Sequence, residues 1–487
     1  MSPDELTADP SRAWSGTDRT EQLRVTRDQL AWDRSRSTGA ETVAWGAPAR
    51  TSPARVSTTQ TSTTQTSTTH GAAQARPALL LHGVQLDRVG EADPWEPAAV
   101  EHLEHLVGRV GPRPHGSLDL VAMIERAGLT GHGGAHVPAA AKWRKTLQGD
   151  GPLTIVANGA ESEPLSAKDA TLMRQRPHLV LDGLALAAEA LGADRAVVWL
   201  HGDDHGTAAT LQGAIAERRA ARLHEPAPEL VMGPSHYLSG ESSAITRALQ
   251  GGPTLPTARR PRDPRSRSPR TLVHNVETLA RLALIARGYP PLPTMLLTVL
   301  TPVSRMVLEV PRGTPVIDVL EATGWLRNGA PQAALLGGYG GMWASWRDLR
   351  SATFDEPALR AAGLSIGAGV VAPIAHGACG LAETAALTGY LASMSARQCG
   401  PCLFGLPALT DGMRALAAGE ASRRERAQLL EDLRLVEGRG ACHHPDGATR
   451  LIASALEVFE HDVVEHVAGR PCYESGRITL PVPGGHR

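Results

Sequence analysis

Three neighbouring stretches decide the fold: LTIVANGA at residues 153–160, HLVLDGLALAAEALG at 178–192 and RAVVWLHG at 195–202. The first and third are short apolar runs typical of buried strands, whereas the middle one repeats its apolar residues at helical spacing. A strand, a helix and a second strand in this order favour a parallel sheet covered by helices. We therefore predict an α/β domain, to which we assign residues 77–288.

The chain on either side of this domain has a different character. Residues 1–76 are polar and include the run STTQTSTTQTSTT, which cannot bury enough apolar surface to offset its ordering entropy, so we predict a disordered tail. Residues 289–350 contain two alternating strands, a Pro-Arg-Gly turn and one amphipathic helix, as in a small β-grasp module. Residues 351–472 are predicted to form a helical domain after a Gly-rich turn, and residues 473–487 a tail.

Composition excludes several classes of function. Lys and Arg total 49 against 50 Asp and Glu, so no global field attracts nucleic acid, and the basic stretch 259–270 is interpreted as a solvated loop. No segment has the roughly 18 uninterrupted apolar residues of a membrane-spanning helix, so we expect no direct membrane insertion. Five cysteines in 487 residues without a hydrophobic leader indicate a reducing compartment, and we predict a cytoplasmic protein.

A glycine-rich loop, GLTGHGGA at residues 128–135, precedes the first strand of the domain. Side chains are nearly absent from it, so its peptide N–H groups can approach a phosphate closely, although such strings also form plain turns. The Lys142-Trp143 pair follows the loop, and Asn158 ends the strand after it. Because ligands of parallel sheets bind at the carboxyl ends of the strands, Asn158 is a candidate binding residue.

Four motifs carry a resemblance to a known family. They are GLTGHGGAHVPAAAKW at 128–143, NGAESEPLSAKD at 158–169, GPSHYLSGESSA at 233–244 and VHNVETLA at 273–280. Their order and content resemble those of the flavin-bearing, NADH-oxidising F subunit of bacterial NADH-quinone oxidoreductase, respiratory complex I. The β-grasp (SLBB-like) segment and the helical cysteine domain also follow in the order of that family.

The resemblance implies a flavin mononucleotide (FMN) site and a route for electrons from NADH through FMN to an iron-sulfur cluster. Glu163 is implied as a catalytic residue. The implied flavin-binding residues are Gly131, Gly133, Gly134, Lys142, Asn158, Glu161, Tyr237, Gly240, Glu241 and Asn275. On the nicotinamide side, two phenylalanines of the family are replaced by Val137 and Lys145, and two acids by Ala160 and Ser242. NAD is therefore expected as a cofactor with altered contacts, and a replacement donor is the alternative.

The cysteines of the helical domain allow three interpretations. Cys399-Gly-Pro-Cys402 has the composition of a thioredoxin motif. That motif follows a strand in a βαβ unit, whereas the sequence before Cys399 is predicted to be helical. Cys399, Cys402 and Cys442 with His443 or His444 could bind zinc. The resemblance favours an iron-sulfur cluster, 4Fe-4S or 3Fe-4S, held by the three cysteines, because MSARQCGPC matches the ligand run of the family.

The first cysteine of that run is Ala396 here, so His443, Ser395 or another group is needed as fourth ligand. Cys379 is interpreted as a core thiol and Cys472 as structural. We thus predict an oxidoreductase that uses a small-molecule electron donor and a redox partner protein, such as a ferredoxin-like protein or another subunit. The alternative is a non-catalytic structural subunit of a redox complex with degenerate cofactor sites.

Overall fold

The computed structural model describes residues 80–81, 85–87, 100–134, 136–258, 268–302, 304–472 and 476–483. The predicted polar tail 1–76, residues 259–267 of the predicted basic loop and Ala135 of the glycine loop lie outside this part of the chain. The described residues form ten strands: β1 (Gln85–Asp87), β2 (Leu153–Asn158), β3 (Arg195–His201), β4 (Pro228–Gly233), β5 (Arg270–Asn275), β6 (Thr294–Leu300), β7 (Arg305–Pro311), β8 (Ala333–Leu336), β9 (Met342–Ser345) and β10 (Val370–Ile374).

The helices of the first half are α1 (Leu103–Val110), α2 (Asp119–Arg126), α3 (Ala139–Leu147), α4 (Lys168–Gln175), α5 (Pro177–Leu191), α6 (His205–Ala220), α7 (Ser242–Leu249) and α8 (Val276–Ala286). Those of the second half are α9 (Val316–Ala322), α10 (Trp346–Leu349), α11 (Glu356–Ala361), α12 (Gly380–Ser393), α13 (Leu406–Ala418), α14 (Arg423–Val436), α15 (His444–Val458) and α16 (Glu460–Val467).

The predicted parallel sheet is present. Its four strands have the order β4-β3-β2-β5, and all three neighbouring pairs are parallel. The predicted strand-helix-strand unit is β2, α5 and β3, so the α/β prediction is confirmed. Nearly every residue of α5 is buried, because this helix packs between the sheet and α8.

Gly183 makes the close packing of α5 and α8 possible. A Cβ atom at this position would lie 2.0 Å from the carbonyl oxygen of Leu279. No side chain fits at such a distance, so the helices meet backbone to backbone here. This contact fixes α8, whose first residue follows the candidate residue Asn275.

The second sheet is mixed and has the order β1-β7-β6-β10-β8-β9. The two predicted strands are β6 and β7, and the predicted helix after the Pro-Arg-Gly turn is α9. The structure pairs β6 and β7 antiparallel. The central strand β10 was not predicted, because its sequence VVAPI follows the Gly-rich turn that was interpreted as a lead-in to helices. It pairs parallel to β6 and antiparallel to β8, so the sheet takes its middle from beyond residue 350.

The last part of the described chain is helical, as predicted, and α12 to α16 share one hydrophobic core with β8, β9 and β10 of the mixed sheet. Helix α14 begins with a capping box between Ser422 and Glu425. The helical stretch at residues 444–467 is divided at Phe459 into α15 and α16. In the described residues, every helix is too short or too polar to cross a membrane.

A segment near the carboxyl end returns to the start of α12. Glu383 accepts hydrogen bonds from the peptide N–H groups of Thr479 (2.6 Å) and Leu480 (3.2 Å). The hydroxyl of Tyr339 donates to the carbonyl oxygen of Pro481. The segment is therefore bound to both the helices and the mixed sheet.

Candidate functional site

The carboxyl ends of β2 and β5 bring two asparagines together. Asn158 and Asn275 are paired residues in the parallel register of these strands. The side-chain amide of Asn158 donates to the carbonyl oxygen of Gly240 at 2.8 Å. A Cβ atom on Gly133 would meet Asn275 Cβ at 3.6 Å. Four predicted flavin residues, from four separate motifs, thus meet at one edge of the sheet.

The glycine loop contributes open space and unpaired N–H groups. Gly131 donates its N–H to the carbonyl oxygen of Val137, which closes the loop. Among the described residues, none accepts a hydrogen bond from the N–H groups of Gly133 or Gly134. Gly134 has φ +92°, a backbone conformation that other residues rarely adopt. The loop can therefore present peptide N–H groups to an anion, as phosphate-binding loops do.

A buried ionic cluster supports the loop. The ammonium group of Lys168 donates to Asp169 (2.7 Å), to Glu277 (3.0 Å) and to the carbonyl oxygen of His132 (3.2 Å). Although burial raises the pKa of Glu277, the charges of Lys168 and Arg281 help to hold it below its ordinary value. Burial lowers the pKa of His132 to about 4, so this histidine is neutral at physiological pH. Lys168 was not among the predicted site residues.

Lys142 lies beside β5, the strand that ends at Asn275. Its ammonium group donates to the carbonyl oxygen of Val273 at 2.8 Å, and burial lowers its pKa. The neighbouring Trp143 donates its indole N–H to Nε2 of His274 at 2.9 Å. Burial, with the charge of Lys142, lowers the pKa of His274 to about 3, so its Nε2 remains an acceptor.

Three predicted flavin residues cap helices with their side chains. Glu161 accepts from the N–H groups of Asp169 and Ala170 at the start of α4, both at 3.1 Å. Glu241 accepts from two N–H groups in the first turn of α7. Asn275 accepts from the N–H of Glu277 at 2.9 Å and also donates to Asp169 at 2.6 Å. Helix capping therefore explains most of these side-chain contacts without a flavin.

Glu163, the predicted catalytic residue, is buried against the mixed sheet. One of its oxygens accepts from the N–H of Tyr339 (2.9 Å) and from the hydroxyl of Tyr237 (3.3 Å). Burial raises the pKa of Glu163 to about 8, although these hydrogen bonds oppose the shift. Gly338 is required beside it, since a Cβ atom there would lie 2.1 Å from the carboxyl carbon.

Tyr237 connects this carboxyl group to the cysteine region. Its ring lies 5.5 Å from that of His444, centre to centre, and 6.1 Å from that of Tyr390 in an edge-on contact. His444 follows Cys442 by two residues, and the charge of Glu241 contributes to the raised pKa of Cys442. The predicted flavin residues therefore adjoin the predicted cluster ligands.

Cys402 lies near enough to the other two predicted cluster ligands for their thiols to affect its pKa. Burial raises the pKa of Cys402 to about 12, and the thiols of Cys399 and Cys442 contribute to the shift, so all three interact. The backbone N–H of Arg397 opposes this rise in the pKa of Cys402, and that of His444 opposes the burial-driven rise in the pKa of Cys442. Backbone N–H groups near a sulfur favour its negatively charged form.

Ser395 is the candidate for a fourth ligand. Its hydroxyl oxygen is buried and has no hydrogen-bond partner among the described residues. Burying a hydroxyl without a partner is costly, which indicates a missing ligand or contact. His443, the other candidate, has 77% of its side chain exposed and contacts Asp446. Among the residues named for this role, Ser395 is thus the one with an unsatisfied buried oxygen.

His136, beside the glycine loop, could narrow a flavin pocket. Its φ angle is +46°, and its Nδ1 lies 3.1 Å from a carboxylate oxygen of Glu356. The ring is therefore held against α11. A cavity of about 250 Å³ lies between the start of the loop and α8, where His132, Arg281 and Arg312 line it. No predicted flavin residue lines that cavity.

Comparison with known proteins now defines the class. Residues 124–284 match the Nuo51 FMN-binding domain, and residues 382–466 match the iron-sulfur binding region of NADH-ubiquinone oxidoreductase F. The chain therefore carries a flavin-binding and an iron-sulfur-binding domain.

Curated relatives identify the family. The F subunit of NADH-quinone oxidoreductase in Escherichia coli is 30% identical over 375 residues, which cover 71% of this chain and 83% of that one. The corresponding protein of Streptomyces coelicolor is 27% identical over 385 residues, 73% of this chain and 84% of that one. The chain belongs to the family of NADH-quinone oxidoreductase F subunits, as its motifs indicate.

A solved structure shares the fold. The NAD⁺-reducing [NiFe]-hydrogenase in the H₂-reduced state matches with a TM-score of 0.65 at 24% identity. The match covers 74% of this chain and 63% of the hydrogenase chain. The predicted fold class, a parallel flavin-binding sheet followed by a β-grasp module and an iron-sulfur helical domain, is confirmed.

Proposed function

We propose that the chain is an electron-transferring oxidoreductase subunit that takes electrons from NADH to FMN and passes them to an iron-sulfur cluster. The observation that carries the proposal is the contact made by Tyr237. This residue joins the carboxyl group of Glu163 to His444, beside the cluster ligand Cys442. Residues from both cofactor regions thus form one continuous structure rather than two independent ones.

The residues at the edge of the parallel sheet fit a flavin phosphate and ring. Gly131, Gly133 and Gly134 supply room and peptide N–H groups for the phosphate, with Lys142 as a nearby cation. The side-chain amide of Asn158 is hydrogen-bonded to the carbonyl oxygen of Gly240, and Asn275 borders the glycine loop. When bound, FMN accepts two electrons as hydride and releases them one at a time, while the protein sets orientation and tuning.

Glu161 and Glu241 are proposed to act from the helix starts that they cap. Each carboxylate is fixed by N–H groups of its helix, so its charge has a defined position near the ring site. Glu163 is proposed as the group on the donor side. Because its pKa is about 8, it holds a proton over much of the physiological range and can donate a hydrogen bond.

The donor set of the helical domain fits an iron-sulfur cluster with one non-cysteine ligand. Cys399, Cys402 and Cys442 would supply three thiolates, and the backbone N–H groups of Arg397 and His444 favour the charged forms of Cys402 and Cys442. We propose that the hydroxyl of Ser395 completes a 4Fe-4S cluster. A 3Fe-4S cluster would need the three cysteines alone.

Partner subunits are implied by the family, whose members are named as subunits of NADH-quinone oxidoreductase. An exposed apolar surface lies next to the proposed cluster: Phe404 is 71% exposed, two residues after Cys402. Exposed aromatic residues are characteristic of recognition sites. We propose that this surface contacts the protein that accepts the electrons, in the cytoplasm.

The test is cofactor content and reduction of the full chain. Protein isolated anaerobically with FMN, iron and sulfide should show flavin absorbance and a cluster signal, and NADH should bleach the flavin. Gly133→Val should weaken FMN binding at least tenfold, since its side chain fills the space beside the loop. Gly108→Val, at a position with open space around it, serves as the matched control.

The outcomes separate the alternatives. Protein without flavin absorbance and without a cluster signal contradicts the proposal and favours the non-catalytic structural subunit. Flavin that dithionite bleaches but NADH does not would assign a replacement donor, consistent with Val137 and Lys145 at the phenylalanine positions. Loss of one iron per chain in Ser395→Ala, with the flavin unchanged, supports the fourth ligand.

A further inference from the structure

Two cysteines outside the proposed cluster converge on a buried histidine. The Sγ atom of Cys379 lies 3.9 Å from Nε2 of His466, and the Sγ atom of Cys472 lies 3.1 Å from the same nitrogen. The three ligand atoms all lie within 4.8 Å of one another. In a tetrahedral zinc site, sulfur and nitrogen ligands are separated by about 3.6–3.8 Å, so the group is close to coordinating geometry.

The three residues come from separate elements. Cys379 is the N-cap residue of α12, His466 lies in the last turn of α16, and Cys472 lies in the segment after α16. Cys379 and His466 are fully buried, whereas Cys472 is half-buried. The fold therefore places two soft ligands and one imidazole together, with an approach from the side of Cys472.

The orientation of the imidazole suits a metal ligand. Nδ1 of His466 lies 3.0 Å from the carbonyl oxygen of Leu416, a contact in which this nitrogen is the donor. Nε2 is thereby left as an acceptor, and the N–H of Cys472 donates to it at 3.0 Å. Metal-binding histidines commonly donate their other ring N–H to a carbonyl oxygen in this way. A bound metal would replace the N–H of Cys472 as the partner of Nε2.

Cys379 lies at the start of a helix. It is the N-cap residue of α12, so its sulfur lies near the positive end of the helix dipole. This position favours the negative charge that a metal-bound thiolate carries. Metal binding would displace the protons of both thiols into solvent, with no change in oxidation state.

We propose that Cys379, His466 and Cys472 form a zinc site, separate from the iron-sulfur ligands, with solvent in the fourth position. Two thiolates and an imidazole select zinc among the common divalent metals in cells, because they are soft or borderline ligands. The site joins the segment after α16 to the start of α12 and the end of α16. The same segment is held again by Glu383 through Thr479 and Leu480.

The experiment measures metal content in the full chain, isolated anaerobically without chelators. We expect one zinc per chain in the wild type and none bound at this site in Cys379→Ser or Cys472→Ser. Cys472→Ser is the preferred variant, since its half-buried position tolerates the change. Chelator should lower the melting temperature of the wild type and leave that of Cys472→Ser unchanged. Titration of the metal-free wild type with Co²⁺ should give sulfur-to-cobalt charge-transfer bands, which the variant lacks.

Cys399→Ser is the matched control, because it should lower iron while zinc stays at one per chain. Zinc that disappears only in Cys399→Ser, or that is unchanged in Cys472→Ser, overturns the proposal. So does a Cys379–Cys472 disulfide in the anaerobic protein, found by peptide mass mapping. Iron and FMN are measured in the same samples, so failure of the proposed redox function is distinguished from failure of the zinc site.

Discussion

The hydroxyl of Tyr237 donates a hydrogen bond of 3.3 Å to the carboxyl group of Glu163, while the other side of the tyrosine faces His444. This arrangement joins the loop after β2 to the start of α15. The carboxyl group is held by backbone as well, through the N–H of Tyr339. A change at Glu163 should therefore be detected in both stability and redox chemistry.

The raised pKa of Glu163 predicts the pH dependence of stability. Between about pH 4.5 and 8 the folded chain keeps a proton that the unfolded chain has released. The free energy of unfolding should therefore fall as pH rises through this window, by up to about 1.4 kcal/mol per pH unit. Glu163→Gln should flatten the slope in urea denaturation measured across this range. The control is Glu104→Gln, at a side chain that is 81% exposed, and an equal flattening there would contradict the prediction.

The lowered pKa of His274 predicts a loss of stability in acid, opposite in direction to the effect of Glu163. Its pKa of about 3 lies below that of an unfolded histidine, so the unfolded state takes up a proton that the folded state refuses. Stability should be lost as pH falls from about 6.5 towards 3. His274→Asn should reduce this loss, although it weakens the bond to Trp143. Thermal unfolding at several pH values measures the effect, and His115→Asn, at an 82% exposed site, should follow the wild type.

Because α5 and α8 meet backbone to backbone at Gly183, even a methyl side chain at this position should lower the free energy of unfolding strongly. Gly183→Ala places a methyl group 2.0 Å from the carbonyl oxygen of Leu279 and should lower the free energy of unfolding by about 3 kcal/mol. Gly213→Ala, on an exposed face of α6 with nothing near it, should instead raise it by about 1 kcal/mol. Equal effects in chemical denaturation would show that the two helices separate without strain.

Asn275 allows capping to be separated from cofactor binding. Asn275→Ala should lower the free energy of unfolding by about 1–2 kcal/mol, because the first turn of α8 loses its cap. Asn275→Ser keeps a capping oxygen and should recover most of that stability. If the amide also contacts the flavin, the serine variant will still bind FMN several-fold more weakly in a fluorescence titration. Affinity equal to the wild type would leave the residue with its capping role alone.

A substitution at Phe404 should affect one of two electron-transfer steps and leave the other unchanged. Phe404→Ser should slow reduction of the acceptor protein at least fivefold, because an exposed apolar contact is lost. Bleaching of the flavin by NADH should continue at the wild-type rate. Stopped-flow absorbance follows both steps in one sample, with Leu118→Ser, at a distant exposed site, as the control. Equal slowing of both steps would argue against a docking role.

Much of the fold was predictable because its signals are local. The apolar runs of β2 and β3 and the helical spacing of α5 are each contained in a single stretch of sequence. β10 was missed because a buried apolar run beside glycines has no periodicity that distinguishes it from a lead-in to a helix. Its role is set by pairing with β6 and β8, which lie many residues earlier.

The residues of the candidate site were easier to predict from the sequence than the contacts that they make. Asn158 lies at the strand end where the sequence placed it, whereas the set of cluster ligands at Cys399, Cys402 and Cys442 stays a prediction. The sequence could not show that Glu161 and Asn275 cap helices, since the same residue types serve both purposes. Cys379 and Cys472 were each predicted to be structural thiols, with no link between them. Cys379 lies 87 residues before His466 in the sequence, and only the folded chain brings both cysteines to this histidine.

The place of β10 limits how the chain can be divided. A fragment ending at residue 350 would retain β6 and β8 but lose the strand that hydrogen-bonds to both. Each would then present a bare edge, the arrangement that leads strands to associate with other chains. Recombination between relatives, whether in evolution or by design, should therefore succeed at junctions that keep residues 294–374 together, and fail at residue 350, the boundary predicted from the sequence pattern.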